Sequence, residues 1–158
     1  MVMENTPNLF PTFLPCGFLT LHDYATGMAA CAAARNAGVL TAQASVAPFG
    51  FLSAPGAAGF MGALWWQALI RQMEEETGCR YVHVLDCGSS VGHAVLARTQ
   101  GQKNVILQTD PARAAAVRVL YQSEGGVFFS VRPPSFDLTG PLSSKTHLAA
   151  YFMRSYCQ

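Results

Sequence analysis

The sequence predicts an α/β fold with a parallel sheet of about five strands, and two observations support this prediction. Short apolar runs alternate along the chain with longer amphipathic stretches of helical length. Glycine, proline or small polar residues separate most of these segments. Such alternation is typical of a parallel sheet with right-handed crossovers. The pattern fits a flavodoxin-like three-layer sandwich or half of a (β/α)8 barrel, and it does not choose between them.

The individual elements follow from apolar patterning and from residues that start or stop a helix. Gly38 and Gly78 are placed to end the first two helices, and Asp110 with the next proline is a typical helix start. Two prolines after Arg132 stop the fifth strand, because proline cannot donate to a ladder. In chain order we predict strands over residues 18–23, either 39–45 or 49–53, 81–86, 104–109 and 127–131, and helices over 24–37, 57–77, 90–99, 111–122 and 145–156.

The second predicted helix has a clear apolar pattern. Met61, Trp65, Leu69 and Met73 recur at every fourth residue, which predicts one buried stripe. The last helix, within residues 144–156, is interpreted as a C-terminal packing helix on the same basis.

Length and composition predict one α/β domain over residues 1–158, with an N-terminal arm over 1–15. Only 12% of the residues are charged, so we expect either a very buried sheet or a homo-oligomer. A net charge of +1 argues against nucleic acid and anionic membranes as partners. Prolines and glycines interrupt the charge-free stretch over 36–70, so we expect no membrane span. Five scattered cysteines without a C-x-x-C pair predict a cytoplasmic protein with neither a disulfide framework nor a zinc site.

Polar residues follow several predicted strands at the point where each strand ends. Asp23, Asp86 and Asp110 come after the first, third and fourth strands, and Arg132 comes after the fifth. The carboxyl ends of parallel strands share one edge of the sheet, where ligand sites of α/β proteins lie. We therefore predict a site for a small anionic metabolite at this edge, with Arg132 as its counter-charge and Asp86 as a general base.

Two of these aspartates have a simpler interpretation. Asp23 and Asp110 stand directly before helices, where a carboxylate accepts hydrogen bonds from the free N–H groups of the first turn. Asp86 lies three or more residues before its helix, so capping explains it less well. Cys87, at the entrance of that helix, is a second catalytic candidate because a thiol there can have a lowered pKa. The alternative for Cys87 is a small buried residue.

Two turns could supply donors for a phosphate or carboxylate. One is the glycine-rich entry to the second helix, with Gly56 and Gly59, and the other contains Gly88 and Ser89. Neither turn matches the P-loop or the dinucleotide-binding pattern. The alternative is that these small residues allow a helix to pack tightly on the sheet.

The stretch Val84-Leu-Asp-Cys-Gly-Ser-Ser-Val-Gly92 resembles the first motif of Rossmann-type methyltransferases, which bind S-adenosylmethionine. Its aspartate and both glycines match the motif, and Ser90 stands where the family has its middle glycine. The resemblance covers about residues 82–120 and implies that Asp110 would bind the ribose hydroxyls. It also implies a seven-stranded sheet. The two strand–helix units before residue 81 would then have to be permuted ahead of the motif.

Three short segments resemble small α/β proteins of alphaproteobacterial type that have no assigned activity. These segments are residues 52–58, 85–88 and 132–138, and this resemblance implies no function. Three hypotheses follow from the sequence: a domain for a small anionic metabolite, a non-catalytic oligomeric assembly domain, and a methyltransferase-like domain. The residues identify neither a cofactor nor a reaction, and they leave open whether the protein is an enzyme.

Overall fold

The computed structural model describes residues 15–139 and 145–156 of the 158-residue chain. The described strands are β1 (Gly17–Leu21), β2 (Phe49–Ser53), β3 (His83–Asp86), β4 (Asn104–Ile106), β5 (Val127–Phe129) and β6 (Ser135–Asp137). The described α-helices are α1 (Tyr24–Asn36), α2 (Ala63–Thr77), α3 (Val91–Thr99), α4 (Pro111–Gln122) and α5 (Lys145–Tyr156). A short 3-10 turn over Ala57–Gly59 precedes α2.

All the strand pairs are parallel, which confirms the predicted α/β class and its parallel sheet. Within residues 15–139 and 145–156, the sheet is open and has six strands in the order β5-β4-β3-β2-β1-β6. From β1 to β5, neighbours in the chain are neighbours in the sheet, as in consecutive units of a (β/α)8 barrel. Since each right-handed crossover steps in the same direction, helices α1 to α4 lie on one face of the sheet.

The two faces of the sheet are covered in different ways. The larger core cluster contains residues from all five described helices, with Trp66 and Phe152 among the fully buried ones. The smaller cluster lies on the opposite face, and every described member belongs to a strand or directly precedes one. We call this side the strand-only face, and its members are Phe18, Leu52, Val82, Val84, Ile106 and Phe129.

The strand-only face is buried because the sheet curls around it. Laid flat, six strands would place the two edges of the sheet about 24 Å apart. β5 and β6 form these edges, yet residues 130–134 alone join them, and five residues span at most about 20 Å. The rings of Phe18 in β1 and Phe129 in β5 are 6.1 Å apart, although four flat strand spacings amount to about 19 Å. Residues 130–134, which we call the crossing segment, therefore bridge the open side of a strongly curled sheet.

Most predicted boundaries are confirmed, and the differences have local causes. Residues 39–45 form turns and bends, so the second strand is β2. The predicted helix over 57–77 is interrupted because Gly62 has a φ of 80°, and α2 begins one residue later. β6 was not predicted; it is a three-residue edge strand that follows two prolines, a position where a missing ladder donor is tolerated.

The buried face of α2 also differs from the predicted stripe. Leu69 and Met73 are buried as predicted, but Trp65 is 50% exposed and Trp66 is fully buried. Met61 precedes the helix, so it does not set the phase of the buried face. The prediction was wrong for Trp65 because a spacing of four residues drifts by about 40° per step from the 3.6-residue helical period. The buried residues Trp66, Leu69, Ile70 and Met73 follow that period.

Parts of the predicted ends lie outside the described residues. Residues 1–14 of the predicted arm and position 144 are among them, whereas α5 confirms the predicted helix over 145–156. The charge-free stretch over 36–70 divides among turns, β2 and the beginning of α2. Within the described ranges no helix is both long and apolar enough to span a membrane.

Candidate functional site

Asp86 lies at the carboxyl end of β3, where the sequence predicts a site, and its oxygens are already occupied. The residue is 2% exposed. Its Oδ1 accepts hydrogen bonds from the backbone N–H groups of Gly56 (3.0 Å) and Gly88 (2.8 Å). Its Oδ2 accepts a hydrogen bond from Arg132 Nη1 at 2.6 Å. These bonds give Asp86 a structural role that ties β3 to the loop after β2 and to the crossing segment.

Arg132 has its own partners at this edge. Besides the Asp86 carboxylate, its Nη2 donates to Thr20 Oγ1 (2.9 Å) and to the Ser53 carbonyl oxygen (2.8 Å). The guanidinium therefore holds together the ends of β1, β2 and β3. Arg132, which was predicted to bind the charge of a ligand, instead pairs with Asp86, which was predicted to be a general base.

The other two predicted aspartates cap helices. Asp23 accepts a hydrogen bond from the Thr26 N–H at 2.8 Å, at the start of α1. Asp110 accepts one from the Arg113 N–H at 3.0 Å, at the start of α4, and also pairs with the Arg113 side chain at 3.2 Å. Both contacts correspond to the simpler interpretation of these residues.

The glycines of the two turns serve mainly to let the turns approach each other. Gly56 and Gly88 both have positive φ values, 68° and 58°, and a Cβ on Gly88 would stand 3.7 Å from the Gly56 Cα. A Cβ on Gly59 would meet the His93 ring at 3.1 Å. The Gly59 N–H donates to the Gly56 carbonyl, so it is also used within the turn.

Cys87 and Ser89 differ in their access to solvent. Cys87 is 2% exposed, and burial, followed by the Asp86 carboxylate, raises the pKa of its thiol to about 12. The thiolate that nucleophilic chemistry requires is therefore disfavoured at neutral pH. Ser89 is exposed at the tip of its turn.

A histidine–aspartate pair lies at the same edge and was not predicted. His22 Nε2 and Asp137 Oδ1 are 2.9 Å apart and join the ends of β1 and β6. Burial alone would raise the pKa of Asp137, but hydrogen bonds from Thr139 and His22 outweigh it and hold that pKa below its ordinary value. The pair is partly exposed and serves as a link between two strands.

A polar cavity lies at the opposite edge of the sheet, where β3 and β4 begin. Its volume is about 360 Å³. We call it the basic pocket, and its polar lining residues are Gln67, Arg71, Glu74, Arg80, His83, Lys103 and Asn104. α2 supplies the first three, and the others stand at or just before the first residues of β3 and β4.

The cationic side chains of the basic pocket have no counter-ion in the described part of the chain. Arg71, Arg80 and Lys103 are exposed, and none is within ion-pair distance of a described carboxylate. Against these three cations the pocket contains one acid, Glu74, which leaves two net positive charges. Three of the ten lysines and arginines of the chain thus converge on one cavity.

His83 adds a neutral donor to the basic pocket. The Trp66 indole N–H donates to His83 Nδ1 at 3.1 Å, and an indole nitrogen can only donate. Burial, followed by the nearby Lys103 cation, lowers the pKa of His83 to about 4. The ring is therefore neutral at neutral pH, and its proton lies on Nε2. His83 Nδ1 thus has a hydrogen-bond partner within the protein.

α2 also places acceptor oxygens beside the cations. Glu74 Oε1 accepts the Tyr81 N–H at 3.1 Å, and no described residue donates to its Oε2. The Gln67 amide nitrogen donates to Gln102 Oε1 at 3.3 Å, which leaves the Gln67 carbonyl oxygen as an acceptor. The pocket therefore combines cationic donors with a carboxylate and an amide oxygen.

The sequence contained a signal for the basic pocket that the carboxyl-edge reasoning missed. Arg80 and Lys103 each stand directly before a predicted strand, and parallel strands begin at the same edge of the sheet. Arg71 lies on the helix that leads to the first of these strands. The prediction considered only residues that follow strands, so this convergence was overlooked.

A smaller cavity of about 230 Å³ lies between α2 and α3. Three large apolar side chains that line it are exposed: Leu64 (60%), Trp65 (50%) and Leu96 (53%). Phe60, directly before the lining residue Met61, is also exposed (72%). We call these four residues the apolar rim. No described side chain caps the beginning of α2, and the first residues of this helix line the same cavity.

Comparison of the chain with models of known protein families, with curated proteins and with solved structures finds no match.

Proposed function

We propose that this protein binds a small anionic metabolite in the basic pocket. The observation that supports the proposal is the convergence of Arg71, Arg80 and Lys103, without a described counter-ion, on one cavity. Cations gathered at a concave surface concentrate anions there. Arginine and lysine donors form charge-assisted hydrogen bonds with phosphate or carboxylate oxygens.

The size of the cavity favours a small molecule as the ligand. Ligand sites have volumes of about 300–1,000 Å³, and the basic pocket, at about 360 Å³, lies near the lower limit. The positive charge is local, since the chain as a whole carries a net charge of only +1. A localised charge of this kind suits a metabolite better than an extended nucleic-acid backbone.

The proposal keeps the ligand class predicted from the sequence and changes its location. At the carboxyl edge, Arg132 and Asp86 neutralise each other, and Asp23 and Asp110 cap helices. At the opposite edge no described carboxylate pairs with Arg71, Arg80 or Lys103. A ligand there would supply the negative charge that the described residues lack.

Calorimetric titration with inorganic phosphate at low ionic strength tests this proposal. We expect binding by the wild-type protein, weakened about tenfold or more by Arg71→Gln or Lys103→Gln, because hydrogen bonds to charged groups contribute about 1.5–3 kcal/mol. Arg113→Gln is the matched control, since Arg113 is exposed, carries the same charge and lies outside the pocket. Absence of phosphate binding, or an equal loss in Arg113→Gln, would overturn the proposal.

A second candidate function is assembly into a homo-oligomer through the apolar rim. Its supporting observation is the exposure of Leu64, Trp65 and Leu96 around one cavity, with Phe60 exposed next to the lining residue Met61. Adjacent exposed side chains of this size are typical of protein–protein interfaces. The molar mass of the protein in solution decides whether this function applies.

A further inference from the structure

We infer that the ligand of the basic pocket is a phosphorylated sugar or polyol, an inference that rests on the proposed anion-binding function. The cations account for the phosphate group. The acceptor oxygens of Glu74 and Gln67, which line the same cavity, call for ligand groups that donate hydrogen bonds.

The acceptors lie on the same face of α2 as one of the cations. Gln67, Arg71 and Glu74 are spaced by four and three residues, which brings them onto one side of a helix. Because Glu74 Oε1 is held by the Tyr81 N–H, the carboxylate is fixed beside the cavity. A phosphate dianion would repel the Glu74 carboxylate, whereas a hydroxyl group of the same ligand can donate a hydrogen bond to Glu74 Oε2.

The lining of the pocket also limits what the rest of the ligand can be. Tyr81 is the one aromatic ring, besides the histidine, among the described lining residues, and it is 5% exposed. Its hydroxyl donates to Thr77 Oγ1 at 2.8 Å, so the ring is held inside the core. A nucleobase would therefore find no open aromatic face to stack on, whereas hydroxyl groups match the polar lining.

Titrations with inorganic phosphate, a pentose phosphate and the free pentose test the inference. We expect the pentose phosphate to bind at least about tenfold more tightly than inorganic phosphate, equivalent to one added hydrogen bond of about 1.4 kcal/mol. The free pentose should show no measurable binding, because it lacks the group that the cations hold.

Glu74→Gln separates the two halves of the pocket. The glutamine keeps an oxygen for the Tyr81 N–H, but its second position becomes an amide donor. We expect this variant to lose the preference for pentose phosphate over inorganic phosphate, while inorganic phosphate binds at least as well as to the wild type. Glu76→Gln is the matched control, because Glu76 is an exposed acid of the same helix that lines neither the pocket nor the adjoining cavity around Arg71 and Arg80.

The outcomes distinguish this inference from the proposed function. If inorganic phosphate does not bind, the proposed function fails and the inference fails with it. If phosphate binds but the pentose phosphate has no advantage, or a nucleoside monophosphate binds more tightly, the inference fails and the anion site stands. An unchanged preference in Glu74→Gln, with folding verified by circular dichroism, would also overturn it.

Discussion

Arg132 reaches inward from the crossing segment and neutralises a carboxylate that is 2% exposed. The sequence could place both groups at one edge of the sheet, because each follows a parallel strand. It could not show that they pair across 46 positions, since their contact depends on how strongly the sheet curls. A catalytic interpretation of Asp86 required a free oxygen, and hydrogen-bond geometry cannot be obtained from residue spacing.

Replacing Arg132 should strongly destabilise the protein. Arg132→Met leaves the buried Asp86 carboxylate without its counter-charge, and breaking such a pair costs about 3–5 kcal/mol. Urea unfolding measures this loss in the free energy of unfolding. Adding Asp86→Asn should recover part of it, because asparagine keeps an oxygen for the Gly56 and Gly88 N–H groups without the charge.

The exposed pair of Asp110 and Arg113 provides the control for this prediction. Its side chains are 52% and 73% exposed, so Arg113→Met should cost less than about 1 kcal/mol. An Arg132→Met variant as stable as Arg113→Met would mean that the buried pair does not hold the edge together.

Elements with strong end signals were predicted well, and elements defined by tertiary contacts were not. α4 has the predicted bounds because Asp110 caps it and Pro111 occupies its first turn. β6, by contrast, has three residues and little apolar pattern, and it exists because it pairs with β1. The beginning of α2 depends on the positive φ of Gly62, which no neighbouring residue indicates.

Gly126 controls how closely β5 approaches β4, so its replacement should be costly. A Cβ there would overlap the Lys103 carbonyl oxygen, a backbone atom that cannot move without displacing β4. We expect Gly126→Ala to lower the free energy of unfolding by about 2 kcal/mol or more, as overpacking does.

Gly92 in α3 gives the opposite expectation. A Cβ there has open space, with the nearest atom at 3.9 Å, so Gly92→Ala should stabilise the helix by up to about 1 kcal/mol. Thermal or urea unfolding of both variants shows whether each substitution raises or lowers the free energy of unfolding. A stabilising Gly126→Ala would contradict the tight contact of β4 and β5.

The link between β1 and β6 should depend on pH. The pKa of Asp137 is lowered on folding, so its contribution is present above the unfolded value, which is 3.8, and is lost as the pH falls through the lower folded pKa. We therefore expect Asp137→Asn to be less stable than the wild type at pH 7, with the difference shrinking as the pH falls below 3.8 and through the lower folded pKa. If the difference in stability between Asp137→Asn and the wild type were unchanged in acid, it would come from packing and not from the charge of Asp137. The pair is partly exposed, so the effect should be modest.

At the scale of the whole molecule, the alternation of strand-like and helix-like segments predicted the parallel sheet, and composition could not locate the site. The 12% charged fraction is compatible with both a deeply buried sheet and an interface. The curled sheet accounts for part of the low charged fraction, since Leu52, Val84 and Ile106 are fully buried in a cluster whose described members all lie in strands or directly before one. Assembly of several copies through the apolar rim would account for the remaining shortage of charged residues.

The assembly hypothesis has a direct test on the whole molecule. If the apolar rim joins two copies, Leu64→Glu should reduce the molar mass measured by light scattering to that of one chain. Val119→Glu on α4 is the control, because Val119 is similarly exposed, at 65% against 60% for Leu64, and lies outside the rim. A wild-type protein that is already monomeric at high concentration would exclude this function.

The crossing segment has a consequence for the order in which the chain folds. β6 pairs with β1, where Ser135 lies beside Phe18, and α5 packs against α1. The last elements of the chain therefore contact the first ones. The units from β1 to α4 can form largely from contacts between chain neighbours, whereas this closure joins residues more than a hundred positions apart. Such distant contacts slow folding because a long loop must close before they form. The curl of the sheet, and with it the burial of Asp86, should therefore arise late, when β6 reaches β1.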